Sequence, residues 1–196
     1  STMTFYSDVC SYNGLGPGQF VVDDWAKVGV RAVLRDRSRA LLYMQKNAMD
    51  FDFNVWSSES EFLPLTAPRY FAAHHTESFY AVGWARWYMR GGFYEQPDPN
   101  MTGTIPVPRD HPMYRAMEHY EQALGAATLE EKQQHFSRIT DIAAQELWSI
   151  NVGAPTPQLV VVKNDFRYVP RLAAAGAMFF TPGNAGIESY YFTQPA

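Results

Sequence analysis

The chain has 196 residues and a formal net charge of −4, enough length for one domain with a real core and too acidic a balance for nucleic acid as the main partner. Hydrophobic residues make up 46% of it, yet no apolar run approaches the roughly 20 residues of a membrane helix. Cys10 is the single cysteine, which excludes an internal disulfide and any cysteine-based metal site.

Residues 3–9 read as a strand, and the abrupt start before them reads as a tag scar over residues 1–3 on a domain cut from a longer protein. Ser11 to Gly18 is a glycine-rich turn region. Residues 18–28 predict a helix with Phe20, Val21, Trp25 and Val28 on one side, ended by Gly29 at the C′ position. Val30 to Arg35 predicts a strand. Ser38 is the natural N-cap of a helix over 39–47 that buries Leu41, Leu42 and Met44. Phe51 to Trp56 is the next strand, and it breaks into the polar loop Ser57-Ser58-Glu59-Ser60-Glu61. Two strands joined by a helix of this length are expected to be parallel, with a right-handed crossover. Open α/β sheets bind ligands beyond the carboxyl ends of their strands, so the Trp56 loop is the first place to look for a site.

From Ser57 to Pro108 regularity weakens, apart from a helical stretch at 80–90 carrying Tyr80, Trp84, Trp87 and Tyr88. So long an irregular stretch inside a domain points to function. Residues 111–124 then predict a helix with a Met113, Met117, Tyr120, Leu124 stripe. Thr128 with Glu131 is a capping-box pair that opens a helix to about Trp148, striped by Phe136, Ile139, Ala143 and Leu147. The short link makes the two an antiparallel hairpin. Strand-like segments follow at Ser149–Gly153, Leu159–Lys163 and Ser189–Phe192.

Several chemistries can be weighed on these residues. Gly14, Gly16 and Gly18, with Asp36 after the next strand, mimic a dinucleotide fingerprint, but the spacing lacks the final glycine and Pro17 removes a backbone N–H. His74 and His75 are adjacent, so their side chains diverge, and His111, His119 and His135 fall on helix surfaces; no metal and no cofactor is expected. Glu59 and Glu61 admit three readings: an acid–base pair, a solvated loop, or carboxylates that bind an amine or hydroxyls. Aromatic residues are abundant, with 5 Trp and 12 Tyr, as either core or a stacking surface. No nucleophile elbow appears.

In order, the segments Lys27-Val28-Gly29-Val30, Asp50-Phe51-Asp52, Trp56, the helical pair Pro112–Leu124 and Leu129–Trp148, and the tail Val160–Pro170 with Thr181–Asn184 resemble the carboxy-terminal lobe of extracellular solute-binding proteins of family 5, the oligopeptide and dipeptide class of ABC transporters. The resemblance covers nearly the whole chain. It implies an α/β fold, one lobe of a type II periplasmic binding protein, with a mixed sheet flanked by helices that include the hairpin. Residues 1–196 would be one ligand-binding lobe, with 57–108 an irregular insertion beside the cleft and 185–196 a segment returning toward the other lobe.

The resemblance further implies a non-enzymatic binding component that captures a peptide or similar small polar solute and hands it to an ABC permease. Its site would include Trp56, Ser57, Ser58, Glu59 and Glu61, with Glu59 standing where peptide-binding members carry an aspartate for the peptide's amino terminus. Glu is longer by a methylene, and Ser58 and Ser60 replace the flanking residues of that pattern. The expected setting is periplasmic or extracellular, as a monomer, with membrane contact only through the transporter or an N-terminal lipoprotein anchor. Two other classes stay open on residues alone: a small α/β hydrolase using Glu59 or Glu61, and an interaction domain using its aromatic surface.

Overall fold

The computed structural model describes residues 4–10, 15–56, 65, 68–94, 102–153, 157, 159–176, 179 and 181–193. The chain divides into two compact units, one of residues 1–57 and 63–152 and one of residues 58–62 and 153–196.

The first unit is built on a three-stranded parallel sheet in the order β2-β1-β3, with β1 at Thr4–Cys10, β2 at Arg31–Arg37 and β3 at Phe53–Val55. The two later strands are parallel as expected, but both pair with β1 and not with each other. Helix α1 (Leu15–Lys27) joins the first two strands and α2 (Arg39–Ala48) leads to the third. Helix α1 starts three residues earlier than its apolar pattern predicts, because Pro17 is tolerated in a first turn. Its buried contact is Gly18, where an added Cβ would stand 3.0 Å from Leu34 and 3.4 Å from Val9. The missing side chain lets the helix lie close on the sheet. That rotation leaves Phe20, two residues on, 73% exposed, and Val28 falls beyond the helix end. Gly29 does end the helix, with φ of +83° and its N–H donating to Ala26 O.

Ser38 caps α2, its hydroxyl accepting from Leu41 N at 3.3 Å. Only Leu42 of the three expected apolar residues is buried; Leu41 and Met44 are exposed. The place one turn after Leu42 belongs to Lys46, which is 2% exposed. In the central strand Asp8 is fully buried, and its carboxylate accepts from Nε of Arg35 at 3.0 Å and of Arg37 at 3.1 Å, both on β2. These arginines also give an edge strand the charge that discourages pairing with another chain.

Helices α3 (Val82–Met89), α4 (Pro112–Gly125) and α5 (Leu129–Glu146) complete the unit. Pro112 opens α4 behind the cap His111, whose ring accepts from Met113 N at 3.0 Å. The capping box of α5 forms as read: Glu131 N donates to the Thr128 hydroxyl, and Thr128 N donates to the Glu131 carboxylate. Met113, Ala116, Met117, Tyr120 and Ile139 bury themselves with Ala72, Ala73, Ala85 and Val107 in one core cluster. Trp84, Trp87 and Tyr88 pack against that cluster, so most of the aromatic run on α3 is core. Leu124 is 55% exposed and Leu147 is 63% exposed. Ala123 takes the buried place near the end of α4. Leu147 is the left-handed C-cap of α5, at φ of 53°, which swings it off the helical stripe.

In the second unit a short antiparallel pair, β4 (Phe166–Arg167) and β5 (Tyr191–Phe192), is held by Phe166 against the rings of Phe192 and Tyr190 and by Thr193 N donating to Asp165 O. The segments read as strands at Ser149–Gly153 and Leu159–Lys163 form no ladder among the described residues. Leu159, Val160 and Val161 stay exposed, so the strand preference of the two β-branched valines meets no neighbouring strand among the described residues.

Candidate binding cleft

The strand order sets where β3 and Trp56 lie. From β1 the chain passes to β2 on one side, then crosses to β3 on the other. Helix α1 packs Trp25 on Phe53, with ring centroids 4.7 Å apart, while α2 sets Tyr43 edge-on to Trp56 at 6.0 Å. Phe53 and Asn54 are successive strand residues and point to opposite faces; Trp25 of α1 packs on Phe53 while Asn54 reaches Phe79, which clusters with Leu42 of α2, so the two helices cover opposite faces of the sheet. That reversal is a topological switch point between β1 and β3, and ligands of open α/β sheets sit outside the carboxyl ends of the strands there. Trp56 is the residue that follows β3 at this point.

A cleft of about 660 Å³ runs along β3 from Phe51 to Trp56, in the volume range of small-molecule pockets. Its other walls come from Trp25, from Phe79 to Val82, and from Leu147 to Ile150 with Val152. Trp56 lies nearly parallel to Phe79, with centroids 4.5 Å apart and planes at 20°, and Tyr43 meets Phe79 edge-on at 5.5 Å. The guanidinium of Arg39 sits 5.8 Å from the Trp56 ring. Phe79 and Ala81 both have positive φ, 63° and 47°, a conformation that side chains with a Cβ adopt only when the surroundings enforce it. One enforcing bond comes from the strand itself: Asn54 donates from its side-chain amide to Phe79 O at 2.9 Å.

Behind the rings lies a closed polar unit. Lys46 Nζ donates to Glu77 Oε1 at 2.7 Å, and the Tyr43 hydroxyl donates to Glu77 Oε2 at 2.9 Å. The same ammonium stands 4.1 Å from the Tyr43 ring centroid and 4.7 Å from that of Phe79, within cation–π range. Burial opposes ionisation of Glu77, but the bonds from Lys46 and Tyr43 outweigh it and hold the carboxyl below its ordinary value. The unit fixes Tyr43 and Phe79, and through them the plane of Trp56. Tyr80 supplies a different element of the wall: its hydroxyl is buried without a hydrogen-bond partner, and burial pushes it well above the ordinary phenol range.

Of the residues expected at the site, Trp56 lies in this wall. Ser57, Ser58, Glu59 and Glu61 lie outside the described residues. The glycine fingerprint is not a phosphate loop: Gly16 and Gly18 are inside α1, and Gly14 is outside the described residues. His75 caps the short 3-10 turn Thr76–Ser78 by accepting from Glu77 N at 3.1 Å. His74 packs edge-on against Tyr120 at 5.1 Å, and burial drives its pKa down to about 4. Both therefore serve the local fold. Among the described residues no three His, Cys, Asp or Glu side chains gather as a metal site. Sequence reading missed Lys46, Glu77 and Phe79. One signal was present, a lysine on the buried stripe of α2 one turn after Leu42.

No family model and no curated protein matches the chain. Among solved structures, the oligopeptide-binding protein OppA is similar over 98% of this chain, with a TM-score of 0.58 and 23% identity. The fold is like that of a binding-protein lobe. The chain spans only 31% of the OppA chain, so what OppA does as a whole protein is not carried over by this likeness. OppA is by its name a binding protein for oligopeptides. No helix among the described residues is long and apolar enough to cross a membrane.

Proposed function

We propose that this chain belongs to the substrate-binding component of an ABC importer, a family 5 solute-binding protein. It would take up a peptide or similar small polar solute and deliver it to a membrane permease without chemical change. Residues 1–196 then belong to the carboxy-terminal lobe, with 57–108 beside the cleft and 185–196 returning toward a second lobe. The observation that supports this most is the coincidence of two independent features: the OppA-like fold over nearly the whole chain, and a cleft along β3 with Trp56 in its wall. The working protein is a monomer in the periplasm or outside the cell, held at the membrane by the transporter or an N-terminal lipid anchor. Ligand is buried when the two lobes close by a hinge motion.

In this reading Trp56 stacks on the ligand, Ser57 and Ser58 offer hydrogen bonds, and Glu59 pairs with the peptide's amino terminus, with Glu61 adding negative charge. A hydrogen bond to a charged group contributes about 1.5–3 kcal/mol, roughly tenfold to hundredfold in affinity. Calorimetric titration of the full-length protein is expected to show Glu59→Gln weakening a short peptide by that factor while leaving its N-acetylated form unchanged. Equal loss for both forms would remove the amine role from Glu59. Steady release of cleaved peptide would overturn the transport reading in favour of a hydrolase.

A further inference from the structure

We infer that His119 and His135 form a binding site for a first-row divalent cation, Zn²⁺ above all, that clamps the α4–α5 hairpin. His119 on α4 and His135 on α5 bring their Nδ1 atoms to 3.4 Å, with ring centroids 5.6 Å apart. Two imidazole nitrogens on one tetrahedral zinc, with bonds of about 2.0–2.1 Å, stand about 3.3–3.4 Å apart. The spacing is long for a direct N–H···N bond and equals that of two imidazole ligands on one zinc. A third donor is in place: the side-chain oxygen of Gln122 lies 3.2 Å from the same His119 Nδ1. Water completes the fourth position.

The other three of the five histidines are committed elsewhere. The Nδ1 atoms of His75 and His111 accept from backbone N–H groups, and His74 is turned toward Ala72 O. Among the described residues, only His119 and His135 aim Nδ1 at another side chain. Both rings are half-buried between helices fixed by the capping box at Thr128, so the donors are held before metal arrives. Glu131, one turn before His135, adds a negative field toward it while its own carboxylate serves the cap. Imidazole donors suit zinc, nickel and copper, whereas magnesium prefers an all-oxygen shell. The site stands on the hairpin and does not involve the residues of the cleft, so it holds whether or not the transport reading does.

The test is titration of the untagged protein with ZnCl2, with MgCl2 as control, read by calorimetry and by thermal unfolding. One Zn²⁺ per chain and a raised unfolding temperature are expected, because a ligand of the folded state stabilises it. His119→Ala and His135→Ala are each expected to weaken zinc by at least the roughly 10–100-fold that loss of a mere supporting partner costs. Their metal-free unfolding temperatures should match the parent's. In the parent protein itself, Ni²⁺ should broaden the imidazole resonances of His119 and His135 and spare those of His74 and His111. Absence of any zinc response, or a His119→Ala/His135→Ala variant that binds zinc as well as the parent, would overturn the site.

Discussion

Glu77→Leu is expected to destabilise the protein by about 3 kcal/mol, the low end for removing one partner of a buried ion pair. Lys46 is 2% exposed, and among the described residues its ion-pair partner is Glu77 at 2.7 Å, so the substitution leaves an ammonium sealed among aromatic rings. Glu77 keeps 31% of its side-chain surface in solvent, which is why the low end applies. Replacing both partners, Lys46→Met with Glu77→Leu, should recover most of the loss, since well-packed apolar residues often match a buried pair. The effect carries a pH signature. The Glu77 carboxyl is held below its ordinary value, against the opposing effect of burial, by Lys46 and Tyr43. Its contribution is therefore complete above the unfolded value of about 4.3 and fades as pH falls through the lower folded value. Urea unfolding at neutral pH should show the full gap between parent and Glu77→Leu, and the gap should narrow below about pH 4. A gap that widened in acid would contradict the ion pair.

Ile139→Ala should cost about 3 kcal/mol, within the 2–5 kcal/mol range for emptying a packed aliphatic site. Ile139 has no exposed surface and sits in the core cluster with Met113, Met117 and Tyr120, where neighbours on two helices limit collapse into the hole. For a chain of this size each kcal/mol lowers the unfolding temperature by roughly 2–4 °C, so a fall of about 6–12 °C is expected. Leu147→Ala is the contrast. On periodicity alone the two residues share a stripe, but Leu147 is 63% exposed at a left-handed cap, and its loss should stay within about 0.5 kcal/mol. Equal effects for the two would mean that the α5 register is wrong.

The contrast between Ile139 and Leu147 also marks what a sequence can disclose. Local signals survived: Ser38 and Thr128 cap their helices, Gly29 ends one, and the Glu131 box closes, because each bond spans a few residues. The α/β class and the parallel pairing were legible for the same reason, through periodicity. Burial was less so. Gly18, which has no hydrophobic signal, decides how α1 meets the sheet, and Phe20 is left outside. At the site Trp56 was legible from its place after a strand. Its supports were not: Glu77 lies 31 residues beyond Lys46, and Phe79 lies 23 beyond Trp56, in a stretch with no period to read. The pairing of His119 with His135 likewise follows only from the hairpin's register.

The most direct test is thermal unfolding of the full-length protein with and without a pool of short peptides, followed by mass analysis of the pool. A solute-binding protein should unfold at a higher temperature with the pool, lose that rise in Trp56→Ala, and return every peptide intact. No rise with any peptide, or a pool found cleaved, would contradict the proposal that this chain forms one wall of a peptide-binding cleft.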